Sequence, residues 1–355
     1  MAKLELLDNI EAIGKIDTAG MLPTVGRLPD MIVEAERLTA YVSLPAPRRY
    51  GQVLVLGMGG SAIAGDLSAD LFAKKAGAPI ITNRNYTLPQ YVSSETLVFA
   101  LSYSGNTEET LSAVKEADKK GAQIVCVTSG GKLKEFAEAR KIPFYLIPAG
   151  YQPRAALPYM FIPLIVGLTN LKVIPAQAEE LKEAVALLNK LKDEWGPAKP
   201  ARLNQVKQLA KKLAGKLPVI FGASGTTGAA ALRLKDQLNE NSKVTAILDL
   251  FPELNHNQIV NLAAVKRESH DLALVVLRDE DDNERIKKRI EITKSLLVRQ
   301  LGGANEIASQ GKSPLARLFS LIMFGDFLSV YLAILKETDP TPVEAIGRLK
   351  KELSR

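Results

Sequence analysis

Only one cysteine, two histidines and one tryptophan occur among the 355 residues. A single cysteine excludes a disulfide within the chain and is typical of a reducing compartment, so we expect a cytoplasmic protein. Cys126 lies in an apolar segment typical of a buried strand, where a thiol is a poor nucleophile. Two histidines are too few for the His-rich zinc or iron sites of metal-dependent enzymes, so the sequence predicts no bound metal.

No uninterrupted run of about 18 apolar residues is present, and the N-terminus lacks the apolar stretch of a signal peptide. The net charge of +7 comes from 46 basic and 39 acidic side chains. The bases stand beside acids on many segments, as in Lys287-Lys288-Arg289-Ile290-Glu291, which is typical of solvated helix faces. We therefore expect neither a nucleic-acid nor a membrane partner, and the modest positive charge favours an anionic substrate.

Short apolar runs alternate with helix-length patterns in two series, which predicts an α/β fold with two doubly wound parallel sheets flanked by helices. Strands are expected at 53–56, 78–81, 96–101, 123–127 and 144–147, and again at 217–221, 244–248, 272–277 and 304–307. Two amphipathic N-terminal helices are predicted over 1–45, a first domain over 46–195, a second domain over 200–338 and a C-terminal helix over 339–355. Within the first domain, 158–195 is predicted to be helical throughout.

A glycine-containing turn follows the first strand of each series. Leu56-Gly57-Met58-Gly59-Gly60-Ser61 and Phe221-Gly222-Ala223-Ser224-Gly225-Thr226 share this context, which is consistent with duplication of one α/β unit. The first turn either serves close packing or lets peptide N–H groups approach an anion at a helix N-terminus. It is not a dinucleotide fingerprint, because Ala62 replaces the third glycine, and it lacks the lysine of a P-loop.

Hydroxyl groups are concentrated after the third predicted strand. Ser102-Tyr103-Ser104-Gly105-Asn106-Thr107 carries four of them in six residues, directly before a predicted helix. Serine and threonine hydroxyls and the peptide groups of a helix N-terminus all donate to phosphate oxygens. Thr107 could instead cap the helix, but a cap needs only one hydroxyl. The segment therefore favours phosphate binding over capping alone.

This hydroxyl loop and the upstream Gly-Gly-Ser turn resemble the sugar-isomerase (SIS) domain, and roughly residues 45–355 resemble the bifunctional phosphoglucose/phosphomannose isomerase family. The resemblance implies two SIS domains, a hexose 6-phosphate substrate, no cofactor and a homodimer with shared active sites. It assigns substrate binding to a set of residues in the first domain: Gly59, Gly60, Ser61, Ser102, Ser104 and Thr107. In the second domain, Arg278-Asp279-Glu280-Asp281-Asp282 stands where the loop would be, and such acids repel phosphate. The second domain is therefore expected to complete the site.

Two candidate catalytic residues lie in the second domain. Glu240, in Asn239-Glu240-Asn241-Ser242-Lys243, is placed at the C-terminus of a predicted helix, where the macrodipole disfavours a carboxylate unless function retains it. His256 follows a proline turn and is predicted to lie on a polar loop, where Asn255 and Asn257 could fix its tautomer. By the resemblance, Glu240 is the base and His256 opens the sugar ring, whereas His270 is expected at a surface strand entry.

Three further residues are candidates for the site, and two of them, Arg154 and Lys350, also have an ordinary structural interpretation. Arg154 suits a salt bridge or an enediolate oxygen, and the run Pro153-Arg154-Ala155-Ala156-Leu157-Pro158 resembles the family's arginine segment. Lys350 shares a helix face with Ile346 and Leu349, as a snorkelling lysine does, but it matches a family lysine that assists ring opening. Thr341 matches a threonine thought to leave room for the C2 epimer.

The sequence thus predicts an isomerase that interconverts glucose 6-phosphate and mannose 6-phosphate with fructose 6-phosphate through a cis-enediol. Two alternatives remain open. A non-catalytic sugar-phosphate sensor would keep the hydroxyl loop without needing Glu240, His256 and Lys350 together. Another SIS enzyme, acting on a ketose phosphate or an amino-sugar phosphate, would share the loop and differ in its substrate.

Overall fold

The computed structural model describes residues 2–264, 271–301 and 303–353. The chain forms two compact units. The first unit comprises Arg27–Leu187 with Gly311–Leu318, and the second comprises Met1–Gly26, Leu188–Gln310 and Phe319–Arg355. Segments from both ends of the chain thus belong to the second unit.

The described residues form helices and strands in alternation. The helices are α1 (Ala2–Glu5), α2 (Ile10–Ile16), α3 (Met21–Gly26), α4 (Leu28–Thr39), α5 (Gly59–Phe72), α6 (Glu108–Lys119), α7 (Gly131–Arg140), α8 (Leu157–Asn170), α9 (Ala178–Trp195), α10 (Gln205–Leu213), α11 (Gly228–Glu240), α12 (Gln258–Ala264), α13 (Glu284–Leu301), α14 (Pro314–Leu335) and α15 (Glu344–Leu353). The strands are β1 (Gln52–Leu56), β2 (Ile80–Asn83), β3 (Thr96–Ser102), β4 (Gln123–Thr128), β5 (Phe144–Leu146), β6 (Leu217–Ala223), β7 (Ile247–Phe251), β8 (Leu272–Arg278) and β9 (Ala304–Ala308). Short 3₁₀ helices cover Leu6–Asp8, Ala201–Leu203 and Glu253–His256.

The first unit contains a parallel sheet with the order β2-β1-β3-β4-β5. In its register, Leu54 of β1 pairs with Ile81 and Val98. All residues of β3 are buried, as expected of a central parallel strand covered on both faces. Cys126 is buried in the same core, and this burial raises the pKa of its thiol to about 12. The prediction of a buried cysteine is confirmed.

The second unit contains a parallel sheet with the order β7-β6-β8-β9. Val219 of β6 pairs with Ile247 and Leu274. If the strands of each sheet are numbered along the chain, both sheets contain the order 2-1-3-4. This shared order supports the duplication of one α/β unit. The predicted fold class, with two parallel sheets flanked by helices, is confirmed.

Local backbone geometry corrects three sequence predictions. The N-terminal region contains four helices, α1 to α4, where two were predicted. The helical region after residue 157 is interrupted between α8 and α9, where Lys172 has a φ of +57° and Pro175 lacks an amide donor. The strand predicted from Val244 begins only at β7, because the Val244 amide donates to the Leu238 carbonyl (3.1 Å) and so still closes the end of α11.

Among the described helices, α14 is the one whose length and composition would allow it to span a membrane. The helix has 22 residues, and its most apolar window of 18 residues has a mean hydropathy of 2.1. All of that window is buried within the protein, as in the core helix of a globular fold. Arg317 and Asp326, which interrupt the apolar run, are also buried.

Candidate active site

Gly105 holds the hydroxyl loop after β3 in a tight conformation. Its φ of +69° lies in the left-handed region that favours glycine. A Cβ at this position would lie 1.8 Å from the Gly130 carbonyl oxygen and 2.9 Å from the Thr128 hydroxyl. The Thr128 hydroxyl donates to that same Gly130 carbonyl at 2.8 Å. The hydroxyl loop therefore packs directly against the turn after β4.

Two hydroxyls face each other across the hydroxyl loop. The Ser102 Oγ and Thr107 Oγ1 atoms are 2.9 Å apart. Thr107 occupies the N-cap position of α6, yet its side chain makes no capping hydrogen bond within the described part of the chain. Ser104 is exposed, and its Oγ accepts the Asn106 amide at 3.3 Å. The hydroxyls thus accompany the peptide donors at the start of α6, an arrangement suited to a phosphate.

The glycine turn between β1 and α5 contacts both neighbouring segments. Gly59 has a φ of +49°, and a Cβ on Gly60 would lie 3.0 Å from the Arg154 amide nitrogen. Ser61 is almost fully buried, and its Oγ accepts the Tyr103 amide at 3.3 Å. The turn therefore serves close packing, and its serine links it to the hydroxyl loop.

Tyr103 connects the hydroxyl loop to the segment that carries Arg154. Its hydroxyl donates to the Pro148 carbonyl at 2.9 Å and accepts the Tyr151 amide at 2.8 Å. Burial raises the pKa of Tyr103, so the phenol stays protonated. Arg154 itself is only 3% exposed. The sequence places Tyr103 among the loop hydroxyls, but its linking role depends on Pro148 and Tyr151, which follow a later strand.

Glu240 is the last residue of α11, as predicted, and is partly buried. Buried polar contacts anchor this helix to α14. Arg233 donates to both Asp326 carboxylate oxygens (2.9 and 2.7 Å), and Gln237 donates to one of them at 2.7 Å. Burial raises the pKa of Asp326, and the neighbouring Arg233 opposes that shift. The last two turns of α11 are thus fixed before the chain reaches Glu240.

A pocket of about 530 Å³ lies beside the end of α11. Its wall combines Glu240 and Lys243 with the apolar side chains of Pro342 and Val343. Thr341 directly precedes this apolar part of the wall. The structure therefore places the predicted base and the segment of the predicted specificity residue at one pocket.

His256 ends a 3₁₀ helix and is exposed. The amide of Asn255 donates to the Thr293 hydroxyl at 2.9 Å, and the amide of Asn257 donates to the Glu253 carboxylate at 3.1 Å. Because both asparagines make these contacts, the structure gives no support to the idea that they fix the tautomer of His256.

Lys350 is exposed on α15, a helix without buried residues in its described part. Ile346 and Leu349 on the same helix are also exposed, at 42% and 59%. Neither His256 nor Lys350 is among the described residues that line the pocket beside Glu240. His270 lies outside the described residues.

Two family models match the chain. The SIS domain model matches residues 48–146, which include the glycine turn and the hydroxyl loop. The model described as the bacterial phospho-glucose isomerase C-terminal SIS domain matches residues 202–353, which include Glu240, His256, Thr341 and Lys350. The prediction that both parallel-sheet regions are SIS domains is confirmed.

Similar proteins of known sequence cover most of the chain. A bifunctional phosphoglucose/phosphomannose isomerase of Caldicellulosiruptor bescii is 48% identical over 303 residues, which are 85% of this chain and 89% of the relative. A D-glucosamine-6-phosphate 4-epimerase of Sulfolobus acidocaldarius is 32% identical over 292 residues, which are 82% of this chain and 85% of the relative. A solved structure of a hypothetical protein from Thermus thermophilus has a TM-score of 0.73 at 18% identity, covers 99% of this chain and 94% of its own, and shares the fold.

Proposed function

The chain belongs to the bifunctional phosphoglucose/phosphomannose isomerase family, and from this premise we propose that it interconverts glucose 6-phosphate and mannose 6-phosphate with fructose 6-phosphate. The observation that carries the proposal is the hydroxyl loop at the start of α6. There Ser102 and Thr107 are 2.9 Å apart, and the Thr107 hydroxyl is not used as a helix cap in the described structure. These hydroxyls and the helix N-terminus supply donors for the phosphate dianion.

Glu240 is the proposed proton carrier. Both aldose phosphates lose the C2 proton to reach one shared cis-enediol, and return of that proton to C1 gives the ketose phosphate. Arg154 is assigned to the enediolate oxygen, because a planar guanidinium matches a planar anion. Binding of the remote phosphate supplies free energy for holding the reacting carbons in place.

His256 and Lys350 are the proposed acid–base pair for opening the pyranose ring. Their exposed positions support access to a ligand from solvent or from a second copy of the chain. In the same proposal the protein is a cytoplasmic homodimer, and its single buried cysteine supports a reducing compartment. Thr341 is the residue proposed to leave room for both configurations at C2.

The Sulfolobus relative favours a second candidate, an activity on amino-sugar phosphates. A coupled assay with glucose 6-phosphate, mannose 6-phosphate, glucosamine 6-phosphate and arabinose 5-phosphate separates the candidates. The proposal expects fructose 6-phosphate from the first two substrates. Turnover of glucosamine 6-phosphate alone would contradict it and establish the second candidate.

The Glu240→Gln variant tests the assigned base. We expect binding of fructose 6-phosphate to persist while isomerase turnover falls by about a thousandfold or more, because the amide cannot accept the C2 proton. Glu344→Gln is the matched control, since Glu344 lines the same pocket from an exposed position and has no assigned step. Near wild-type turnover of Glu240→Gln would show that another group is the base.

A further inference from the structure

Two lysines join the end of α11 to the segment that follows α14 in the second unit. The Lys243 ammonium group donates to the carbonyl oxygens of Asp339 and Pro340 at 2.8 and 3.0 Å. The Lys336 ammonium group donates in the opposite direction, to the carbonyl oxygens of Ser242 and Lys243 at 2.9 and 3.0 Å. We call Lys243 and Lys336, with these reciprocal bonds, the lysine staple.

The lysine staple lies between the proposed base and Thr341. Glu240 ends α11 shortly before Lys243, and Thr341 follows directly after the two carbonyls that Lys243 binds. The Asp339 side chain orders this turn, because it accepts the Thr341 amide at 2.9 Å and the Thr18 hydroxyl at 2.6 Å. The proposed base and the proposed specificity residue are therefore connected through a short series of named contacts.

A helix cap does not explain the lysine staple. Cations commonly bind the free carbonyls at a helix C-terminus, but the Ser242 and Lys243 carbonyls that Lys336 binds lie beyond the last residue of α11. The carbonyls bound by Lys243 lie beyond the end of α14, so its bonds tie two separate segments together. Lys243 also has a φ of +51°, an uncommon value for a residue other than glycine, which turns the chain sharply after α11.

We propose that Lys243, assisted by Lys336, is a positioning residue that sets the specificity of the enzyme for the two C2 epimers. The lysine staple fixes the separation between the Glu240 carboxylate and Thr341. Glucose 6-phosphate and mannose 6-phosphate differ only in configuration at C2, the carbon whose proton Glu240 removes in the proposed function on which this inference rests. A displacement of Glu240 relative to Thr341 therefore changes the two rates unequally.

The test compares kcat/KM for mannose 6-phosphate and glucose 6-phosphate in the wild-type chain and in Lys243→Met. Methionine keeps an unbranched side chain and bears the same backbone cost at positive φ, so the change removes the ammonium group alone. We expect the ratio of the two kcat/KM values to change by about threefold or more. Partial unfolding of the variant cancels in this ratio, because both substrates meet the same enzyme.

Two further variants sharpen the test. Lys243→Arg retains donors for the Asp339 and Pro340 carbonyls and is expected to restore the ratio to within about twofold of wild type. Lys235→Met is the matched control, because Lys235 lies on α11 and forms its ion pair with the adjacent Asp236 at 2.7 Å. It should leave the ratio unchanged.

The outcomes separate this inference from the proposed function. Wild-type protein that turns over neither hexose phosphate would overturn both. The inference alone would be overturned if the wild-type protein turns over both epimers and Lys243→Met has the same ratio of kcat/KM values as the Lys235→Met control. A parallel fall of both rates at constant ratio would assign Lys243 a purely structural role and would also overturn it.

Discussion

The loops after β3 and β8 occupy corresponding places in two sheets of the same strand order, but they differ in chemistry. After β3, Ser102 and Thr107 present two hydroxyls to each other at 2.9 Å. After β8, the Asp282 carboxylate accepts the Thr226 hydroxyl at 2.5 Å and the Asp279 amide at 3.0 Å. Asp282 is 3% exposed, so the loop after β8 already contains a buried anion that belongs to the chain.

The difference shows how one fold can support two roles. Hydroxyl and peptide N–H groups are the donors that bind a phosphate. In the second unit, such donors from Thr226 and Asp279 already bind the Asp282 carboxylate. Asp279 is held in turn by the Ser309 hydroxyl at 2.7 Å. The comparison therefore supports phosphate binding by the first unit rather than by the second, whereas the supply of catalytic groups by the second unit stays a prediction.

Among the tests of this comparison between the loops, Gly105→Ala has the largest expected effect, and Gly225→Ala is its matched control. A Cβ on Gly105 would lie 1.8 Å from a backbone oxygen, so Gly105→Ala must displace the hydroxyl loop. We expect isomerase kcat/KM to fall by about a hundredfold or more. Gly225 has a similar φ of +80°, but a Cβ there meets no described atom within 4 Å. Gly225→Ala should cost about 1 kcal/mol of stability and leave the kinetics near wild type.

Equal loss of activity in the two alanine variants would break the comparison between the loops. Circular dichroism with steady-state kinetics provides the check, since it separates a displaced loop from an unfolded chain. Retention of full activity by Gly105→Ala would show that the hydroxyl loop does not bind the substrate in the conformation seen.

A smaller effect is expected from single hydroxyls. Ser102→Ala removes one donor to the phosphate, and we expect KM to rise by about tenfold with a lesser change in kcat. Thr226→Val removes the partner of a buried carboxylate, so it should lower the free energy of unfolding by about 1–3 kcal/mol while KM stays constant. Steady-state kinetics and urea unfolding measure the two quantities. If Thr226→Val raised KM as much as Ser102→Ala, phosphate binding could not be assigned to the loop after β3 rather than to the loop after β8.

The sequence was informative where a local pattern decides the structure. Continuous apolar runs located most strands, because parallel strands buried on both faces carry little else, as β3 illustrates. Glu240 was placed correctly at a helix end because the helical pattern stops there. The hydroxyl loop was recognisable because several donors fall within one short segment.

Contacts between distant segments were not predictable in this way. Arg233 and Asp326 are 93 positions apart, and the residues around each of them give no indication of the contact. Lys243 is an ordinary surface lysine by its sequence, and only the folded chain brings the Asp339 and Pro340 carbonyls within reach. The direction of the Tyr103 hydroxyl was missed for the same reason, since its partners follow a later strand.

The smallest expected effect concerns the buried anion of the second unit. Burial raises the pKa of Asp282 in the folded protein, although the Thr226 hydroxyl and the Asp279 amide oppose that shift. The ionised carboxylate therefore lowers stability above its folded-state pKa, and this cost is relieved as the pH falls toward the unfolded value of about 3.9. The Asp282→Asn variant has no titratable side chain at this position.

As the pH falls from about 7 to about 4, the Tm of the wild type should therefore rise by about 2 °C relative to the Tm of Asp282→Asn. A Tm difference that is constant with pH, or that changes in the opposite direction, would show that the loop after β8 does not hold a destabilised charge.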